Sequence, residues 1–293
     1  MSLPVTALPA GAYAEVIGDP IGHSKSPVIH GYWLLSLGLA ADYRRAHVKA
    51  DALPAYFAER RNDPAWRGCN VTVPHKSAVL PLIDRMEPIA ARLGAVNTGF
   101  RAPDGALVGT NTDAAGFLEP LRPLLARSHL FRMARLIGTG GAAAAIAHAL
   151  ADEGFAVVVI GRDEGKAQAL ADALPGEHYA APLADFAVPT DFAFDDRAGC
   201  LDLVVNATTL GMSGQPPLQL DLSHVPPGSI IYDIVYAPLE TPLLARARVA
   251  GLRTIDGLHM LVGQAALAFE RFFGQPPPRD RLHDAELRTR LVA

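Results

Sequence analysis

The stretch ARLIGTGGAA at residues 134–143 joins an apolar strand pattern to an alanine-rich helix pattern through a glycine-rich turn. The turn fits the pattern G-x-G-x-x-A across Gly138, Gly140 and Ala143. The first glycine permits a tight turn, the second lets the backbone approach a pyrophosphate, and the small third residue lets the helix pack on the strand. A bare glycine motif also occurs in ordinary strand-to-helix turns, but the strand before it and the helix after it favour dinucleotide binding.

The segments on both sides of this turn are predicted to form one domain with it. A helix predicted over 142–153 and a strand over 156–160 complete a βαβ unit. Similar patterns predict strands at 201–205, 229–235 and 252–255 and helices at 114–126 and 242–250. We therefore expect a doubly wound, Rossmann-type domain over residues 114–258.

The first 113 residues alternate in the same way, which predicts a separate α/β domain. The patterns indicate strands at 13–17, 42–48 and 68–73 and helices at 27–37 and 53–61. Segments 95–101 and 106–109 flank Pro103-Asp104-Gly105 and predict a hairpin that forms an antiparallel edge. Two further helices, 258–273 and 281–292, are expected to return to this domain, so the fold class is two-domain α/β with a mixed N-terminal domain (1–113), the Rossmann-type domain and C-terminal helices (259–293).

Composition excludes several classes of function. Half of the 293 residues are hydrophobic and 19% are charged, which excludes a disordered chain. The net charge of -4 argues against nucleic-acid or anionic-membrane binding, and the two cysteines offer no disulfide framework or metal-ligand set. No apolar run reaches the ~18 residues needed to span a bilayer, and the first residues lack the basic start of a leader. These features predict a cytoplasmic protein with a small-molecule partner and no metal.

The end of the strand at 156–160 bears on which dinucleotide binds. NAD sites usually carry an acidic residue there for the ribose hydroxyls, whereas NADP sites place an arginine nearby. Arg162 and Lys166 could hold a 2′-phosphate, although Asp163 and Glu164 would repel one if they pointed inward. The alternative is a solvated turn. We favour NADP over NAD.

Ser24 and Ser26 lie two residues apart where a loop enters the helix that starts near Pro27. Both hydroxyls could face an anionic group bound at that helix start. Ser26 could instead serve only as the helix N-cap, a common role for serine. The sequence leaves both interpretations open.

Lys76 follows a strand that Pro74 interrupts, the usual place for a ligand group in an α/β sheet. Asp113 lies at the predicted boundary between the first and second domains, and clefts commonly form at domain boundaries. If the two meet, each keeps the other charged and the pair can exchange a proton with a hydroxyl. His75 is a rival acid or base, ranked lower because successive side chains diverge after a strand.

The motifs SKSP, NVTVPHK, AVNT, NTD, GTGGA, NATTLGM, YDIVYAPLETPLL and DGLHMLVGQAA occur in this order along nearly the whole chain. With this ordered set the sequence resembles the shikimate dehydrogenase family. The resemblance implies a two-domain α/β enzyme that reduces 3-dehydroshikimate to shikimate with NADPH in aromatic amino-acid (chorismate) biosynthesis. It implies Lys76 and Asp113 as the catalytic pair, and for the substrate Ser24, Ser26, Tyr236, Thr72, Asn97 and Gln264. For the cofactor it implies Gly138, Thr139, Gly140, Gly141 and Ala142 at the pyrophosphate, Arg162 and Lys166 at the 2′-phosphate, and Gly257 and Met260 on the nicotinamide side.

There are three departures from the usual family pattern: Gly161-Arg162-Asp163, with Lys166 after it, stands in place of Asn-Arg-Thr followed by a further arginine, His259 replaces a glycine, and Ala114 replaces a glycine. The runner-up within enzymes is a quinate or quinate/shikimate dehydrogenase that prefers NAD. A protein of another class, a non-catalytic dinucleotide sensor on this fold, would be expected to lack Lys76 or Asp113, and both are present. The oligomeric state is expected to be monomer or homodimer.

Overall fold

The computed structural model of the protein describes residues 8–189 and 199–292. The expectation that the chain has no leader falls on the first residues, which lie outside the described residues. The chain divides into two compact units. Unit 1 comprises residues up to Thr112 together with Gln264 onward, and unit 2 runs from Asp113 to Gly263. The sequence had placed these boundaries after residues 113 and 258. The predicted fold class is confirmed, with a mixed sheet in unit 1 and a parallel sheet in unit 2.

Unit 1 is built on a six-stranded sheet. Its strands are β1 (Tyr13–Gly18), β2 (Asp42–His47), β3 (Trp66–Val71), β4 (Arg85–Met86), β5 (Thr98–Arg101) and β6 (Leu107–Thr110). Its helices are α1 (Ser26–Ser36), α2 (Leu53–Asn62), α3 (Pro88–Leu93), α10 (Arg281–Val292) and the part of α9 (Gly257–Phe273) from Gln264 onward. An apolar core that includes Ile17, Phe57 and Trp66 packs against the sheet.

The strand order β2-β1-β3-β5-β6-β4 decides which loops of unit 1 meet. Strands β1, β2 and β3 are parallel, whereas β5 runs antiparallel to β3 with Asn70 opposite Thr98. The start of β5 therefore lies beside the end of β3, and Thr110 at the end of β6 lies opposite Thr98. The expectation that this hairpin forms the sheet edge is wrong, because the two-residue strand β4 pairs with β6 outside it.

Unit 2 has the strand order β12-β11-β10-β7-β8-β9 with parallel pairing throughout. Its strands are β7 (Phe131–Ile137), β8 (Ala156–Gly161), β9 (Tyr179–Pro182), β10 (Cys200–Asn206), β11 (Ile230–Asp233) and β12 (Arg253–Ile255). Its helices are α4 (Asp113–Leu118), α5 (Arg122–Leu125), α6 (Gly141–Asp152), α7 (Glu164–Asp172), α8 (Pro242–Val249) and the start of α9. Alternate strand residues enter two apolar cores, so both faces of the sheet are covered, as expected for a doubly wound fold.

The helix predicted over 114–126 is broken in the structure. It consists of α4, a 3-10 turn over Glu119–Leu121 and α5, with Pro120 and Pro123 each in the first turn of the piece that follows the break. Proline removes a backbone donor and clashes with the preceding turn, so each proline starts a new piece. Within the described ranges, no helix has the length and apolar character to cross a membrane.

Candidate functional site

The loop between β1 and α1 carries a pair of buried serines. The Oγ atoms of Ser24 and Ser26 are 3.2 Å apart, and the Ser26 backbone N–H donates to Ser24 Oγ at 3.3 Å. Lys25 occupies the N-cap position of α1 and no side chain caps the helix, so the alternative that Ser26 is the N-cap is wrong. Both hydroxyls are thus paired with each other at the start of a helix, where an anion is favoured.

A second polar group lies at the same edge of the unit 1 sheet and centres on Asn97. Its Nδ2 donates to Thr112 Oγ1 at 3.0 Å, and its Oδ1 accepts from the Thr112 backbone N–H at 2.8 Å. Thr98 Oγ1 also donates to Asn97 Oδ1 at 2.9 Å. Asn97, Thr98 and Thr112 are all buried. This network holds an amide and two hydroxyls in fixed orientation, which suits recognition of a ligand with several hydroxyls.

The segment after β3 carries Thr72 and Lys76. The Thr72 backbone N–H donates to Ile17 O at 3.0 Å, which holds the segment against β1. The Lys76 carbonyl accepts from Val96 N at 2.8 Å, next to Asn97 in the chain. Both side chains are half-buried. The fold therefore ties the Lys76 backbone directly to the residue that precedes Asn97, just before β5.

His75, the rival acid or base, is fully buried and its Nε2 lies 2.6 Å from the Val48 carbonyl. A carbonyl can only accept, so this nitrogen carries the proton. The imidazole of His75 is therefore held by a hydrogen bond to the backbone just after β2. That His75 ranks below Lys76 as an acid or base stays a prediction.

Asp113 follows Thr112 directly and is the first residue of α4 and of unit 2, with 5% of its surface exposed. Ala114, one of the departures from the family pattern, is also buried. Gln264 lies in α9 as the first residue of the returning part of unit 1 and is half-buried.

The glycine-rich turn of unit 2 fits a pyrophosphate. Gly138 has φ +126°, and a Cβ there would lie 2.8 Å from the Ala207 carbonyl oxygen, so only glycine is accommodated. A Cβ at Gly140 would meet no atom within 4 Å, so open space lies in front of that backbone. Helix α6 begins at Gly141 without a side-chain cap, which leaves the first-turn N–H groups able to bind a phosphate. The turn also lies where the strand order reverses between β7 and β10, the usual ligand position in such sheets.

The tip of β8 places its charged residues on the surface. Asp163 is the N-cap of α7, and its Oδ1 accepts from the Lys166 backbone N–H at 3.0 Å. That backbone hydrogen bond is the main reason the pKa of Asp163 is lowered, and Lys166 Nζ lies 3.4 Å from its Oδ2. Arg162 is exposed and makes no hydrogen bond or ion pair with any residue in the described ranges. Of the two predicted cations, Arg162 is therefore the one without a counter-charge in that part of the chain.

The predicted site residues near the end of unit 2 differ in burial and in how closely other atoms approach them. Tyr236 is half-buried, and burial raises the pKa of its phenol. Gly257 begins α9, and a Cβ there would lie 2.3 Å from the Ile234 carbonyl oxygen, so glycine is required by close backbone approach. Met260 is buried against the core of unit 2, whereas His259 beside it is exposed.

A hydrogen-bonded network that was not predicted from the sequence lies at the ends of β10 and β11. Asn206 donates to Asp233 Oδ1 at 2.9 Å and accepts from Thr208 Oγ1 at 2.7 Å, and Thr241 Oγ1 donates to Asp233 Oδ2 at 2.7 Å. Burial raises the pKa of Asp233, which these hydrogen bonds oppose. The motifs NATT and YDIVYAPLET contain all four residues. The polar residues at the ends of β10 and β11 were therefore the sequence signal from which this network could have been predicted.

Unit 2 has the strand order and the glycine-rich turn of a dinucleotide-binding domain, and unit 1 has a sheet edge rich in hydroxyl and amide groups. These features define the class of two-unit dinucleotide-dependent dehydrogenases. Residues 16–98 match the shikimate dehydrogenase substrate binding domain, and residues 257–285 match the shikimate 5'-dehydrogenase C-terminal domain. Shikimate dehydrogenase (NADP(+)) of Sphingopyxis alaskensis is 54% identical over 97% of this chain and 98% of that protein. The chain belongs to the shikimate dehydrogenase family.

Other relatives are also similar to this chain over nearly its whole length. Shikimate dehydrogenase (NADP(+)) of Methylobacterium radiotolerans is 45% identical over 96% of each chain. The crystal structure of shikimate 5-dehydrogenase from Thermus thermophilus in complex with NADP(H) and shikimate is 37% identical, with a TM-score of 0.78 over 96% of this chain and 99% of that one. Quinate dehydrogenase from Corynebacterium glutamicum in complex with NAD is 31% identical, with a TM-score of 0.79 over 95% of this chain and 99% of that one.

Replacing either serine tests whether the serine pair binds an anion. We expect Ser24→Ala and Ser26→Ala each to weaken shikimate binding by about 1.5 kcal/mol, the lower end for a hydrogen bond to a charged group, because the remaining hydroxyl still binds. NADP binding should hardly change. The melting temperature should stay the same in Ser26→Ala, since Ser26 does not cap α1, and should fall slightly in Ser24→Ala, because Ser24 Oγ accepts from the buried Ser26 N–H. Michaelis constants and thermal unfolding measure both. Loss of stability without loss of shikimate affinity would assign the serines to the fold alone.

Proposed function

We propose that this protein is an NADP-dependent shikimate dehydrogenase that reversibly reduces 3-dehydroshikimate to shikimate in aromatic amino-acid biosynthesis. The observation that carries the proposal is the buried polar edge of unit 1, where a serine pair at a helix start and the Asn97–Thr112 network suit a small carboxylate with ring hydroxyls. Full-length similarity to enzymes of that name supports it. The domain roles follow, with unit 1 binding the substrate and unit 2 the dinucleotide.

In this proposal the serine pair binds the substrate carboxylate, with Tyr236 assisting. Thr72, Asn97 and Gln264 bind the ring and its hydroxyls. Hydroxyl and amide donors are suited to an anion and a polyol respectively. Hydrogen bonds within the serine pair, and from Asn97 to Thr98 and Thr112, orient those groups before the substrate arrives.

Lys76 and Asp113 are the proposed catalytic pair. Oxidation of shikimate removes a hydride from carbon and a proton from the hydroxyl oxygen, and NADP, when bound, supplies the hydride acceptor. In oxidation the Lys76 amine would accept the hydroxyl proton and become an ammonium, and in reduction that ammonium would stabilise negative charge on the carbonyl oxygen and return the proton to it. Asp113 orients the Lys76 side chain.

The cofactor residues follow from the fit described above. Gly138 to Ala142 hold the pyrophosphate on the N-terminus of α6, and Arg162 with Lys166 holds the 2′-phosphate. Gly257 and Met260 lie on the nicotinamide side. We place the enzyme in the cytoplasm. It acts as a monomer or homodimer, and sedimentation of the purified protein tests this oligomeric state.

Initial rates with shikimate and quinate, each with NADP and NAD, test the proposal. We expect the highest kcat/KM for shikimate with NADP. The highest value for quinate with NAD would establish the alternative dehydrogenase instead. Binding of dinucleotide without turnover in any of the four combinations would indicate a non-catalytic protein.

A further inference from the structure

The last residue of β10 in unit 2 is an asparagine whose side-chain amide is fully hydrogen-bonded. Asn206 is fully buried, and its Nδ2 donates to the Leu210 carbonyl at 3.0 Å and to Asp233 Oδ1 at 2.9 Å. Its Oδ1 accepts from the Thr208 backbone N–H at 3.1 Å and from Thr208 Oγ1 at 2.7 Å. An amide offers two donors and an oxygen with two lone pairs, so all of them are used. Asn206 therefore joins the turn after β10 to the end of β11.

The last residue of β11 is a carboxylate with donors from three segments of the chain. Asp233 is fully buried, and its Oδ1 accepts from the Val235 backbone N–H at 3.0 Å as well as from Asn206. Its Oδ2 accepts from Thr241 Oγ1 at 2.7 Å. That hydroxyl oxygen accepts in turn from the Leu244 N–H as the N-cap of α8. Asp233 thus ties the segment after β11 and the start of α8 to β10.

The residue after Asn206 packs on the glycine-rich turn. The Ala207 N–H donates to the Ile137 carbonyl at 2.8 Å, and the Ala207 carbonyl oxygen lies 2.8 Å from where a Cβ on Gly138 would be. The Gly138 N–H donates to the Ile160 carbonyl at 2.8 Å on the other side of the turn. None of these contacts involves a side chain of the Asn206 network. The glycine-rich turn is therefore held by backbone hydrogen bonds, and Asn206 is joined to it through one peptide bond.

The residues after Asp233 pack on the start of α9. A Cβ on Gly257 would lie 2.3 Å from the Ile234 carbonyl oxygen and 2.5 Å from that of Val235, so both peptide groups lie directly against the first residue of the helix. The Ile234 N–H donates to the Asn206 carbonyl at 3.0 Å, and the Val235 N–H donates to the Asp233 side chain. The surroundings of Gly257 therefore depend on where Asn206 and Asp233 hold this segment.

The hydrogen bond between Asn206 and Asp233 thus links the two parts of unit 2 that the proposed function assigns to the dinucleotide, the pyrophosphate turn and the nicotinamide side at Gly257. Resting on that proposed function, we propose that Asn206 and Asp233 are positioning residues for NADP, whose hydrogen bond sets the spacing between these two parts. Both side chains are fully buried, so they act through the backbone that they hold. A site that is already spaced for its ligand binds more tightly because the ordering cost is met during folding.

Asn206→Ser and Asp233→Ser test the link by binding. A serine hydroxyl can still accept from the backbone N–H two residues further on, as both native side chains do, but it is too short to reach across to the other side chain. We expect each variant to raise Kd for NADP about five- to tenfold, the effect of one hydrogen bond. Kd for adenosine 2′,5′-bisphosphate, which lacks the nicotinamide half, should hardly change because the glycine-rich turn keeps its backbone hydrogen bonds.

Calorimetric titration with the two ligands gives the ratio of Kd for NADP to Kd for adenosine 2′,5′-bisphosphate. A general loss of stability lowers the number of binding sites for both ligands equally and leaves this ratio unchanged. If the two side chains act as a pair, the double serine variant should raise the ratio little more than the worse single variant does.

Asp233→Asn is the conservative variant. Its amide oxygen can still accept from Asn206 and from the Val235 N–H, and its nitrogen faces a hydroxyl oxygen that can accept. Asp233 forms no ion pair with any residue that the structure describes, so an amide can replace it without leaving a cation unpaired. We expect this variant to recover most of the wild-type ratio. A ratio as high as that of Asp233→Ser would contradict the link.

Asp202→Ser is the matched control on the same strand. Asp202 is also a buried carboxylate, and its Oδ1 accepts from the buried Arg135 at 3.3 Å. It lies toward the opposite end of β10, where it pairs with Met133, whereas Asn206 pairs with Ile137 beside the glycine-rich turn. Loss of a partner for a buried guanidinium should lower the melting temperature. We expect the wild-type ratio of the two dissociation constants in this control.

A higher ratio in Asn206→Ser and Asp233→Ser than in Asp202→Ser supports positioning. A wild-type ratio in both variants, with normal oxidation of shikimate by the wild-type enzyme, would overturn this inference and leave the proposed function standing. A wild-type protein that binds NADP but does not oxidise shikimate would overturn the proposed function, while the ratios in the variants would still decide whether the link positions the dinucleotide. A wild-type protein that does not bind NADP would overturn both.

Discussion

Lys76→Ala is expected to lose at least ~100-fold in kcat, the low end for an acid-base group. The lysine acts on the oxygen that gains or loses the proton, so its contribution belongs mainly to the transition state and KM for shikimate should change far less. Steady-state rates with shikimate and NADP measure both constants. Near-normal turnover in this variant would contradict the catalytic assignment.

Asp113→Asn extends the same prediction to the partner. The amide keeps the shape of the side chain and removes the charge that orients the ammonium, so kcat should again fall severely. If the two residues act as a unit, the double variant should be little worse than the worse single variant. Multiplied losses would show that they act separately.

His75→Gln is the control for Lys76. Glutamine keeps a donor for the Val48 carbonyl, which His75 Nε2 approaches at 2.6 Å. Because this ring is fully buried and committed to backbone, we expect most of the activity to remain. A larger loss here than in Lys76→Ala, at equal folding and cofactor affinity, would transfer the acid-base role to the histidine.

Arg162→Ala should raise KM for NADP by one to two orders of magnitude, about 1.5 to 3 kcal/mol for a charge-assisted contact to the 2′-phosphate. KM for NAD should hardly change, because NAD lacks that phosphate. Arg162 makes no ion pair within the described ranges, so its removal should leave the fold intact. Lys166→Ala provides the comparison.

We expect the smaller effect from Lys166→Ala, because Lys166 already lies beside Asp163. Titration of the enzyme with NADP and with NAD, alongside the kinetic constants, distinguishes the outcomes. Equal losses with the two cofactors would make Arg162 a structural residue.

Elements with strong local signals were predictable from sequence. The C-terminal helix Arg281–Val292 has the predicted bounds, and α1, α2 and α6 lie within one or two residues of theirs. Helix α7 was not predicted because EGKAQALAD offers little apolar periodicity, and packing against β8 and β9 supports it instead. The two-residue strand β4 has no local signature, since pairing with β6 alone defines it.

Local sequence by itself determined the glycine turn before α6, the serine pair before α1 and the polar strand ends that the family motifs contain. Each depends on neighbouring residues, because turn conformation and helix starts are short-range properties. Only the tertiary structure decided which polar groups pair. The antiparallel β5 puts Asn70 opposite Thr98, and β2 brings Tyr43 to Asn70, 27 residues away. Such contacts depend on strand order and register, which long-range packing determines.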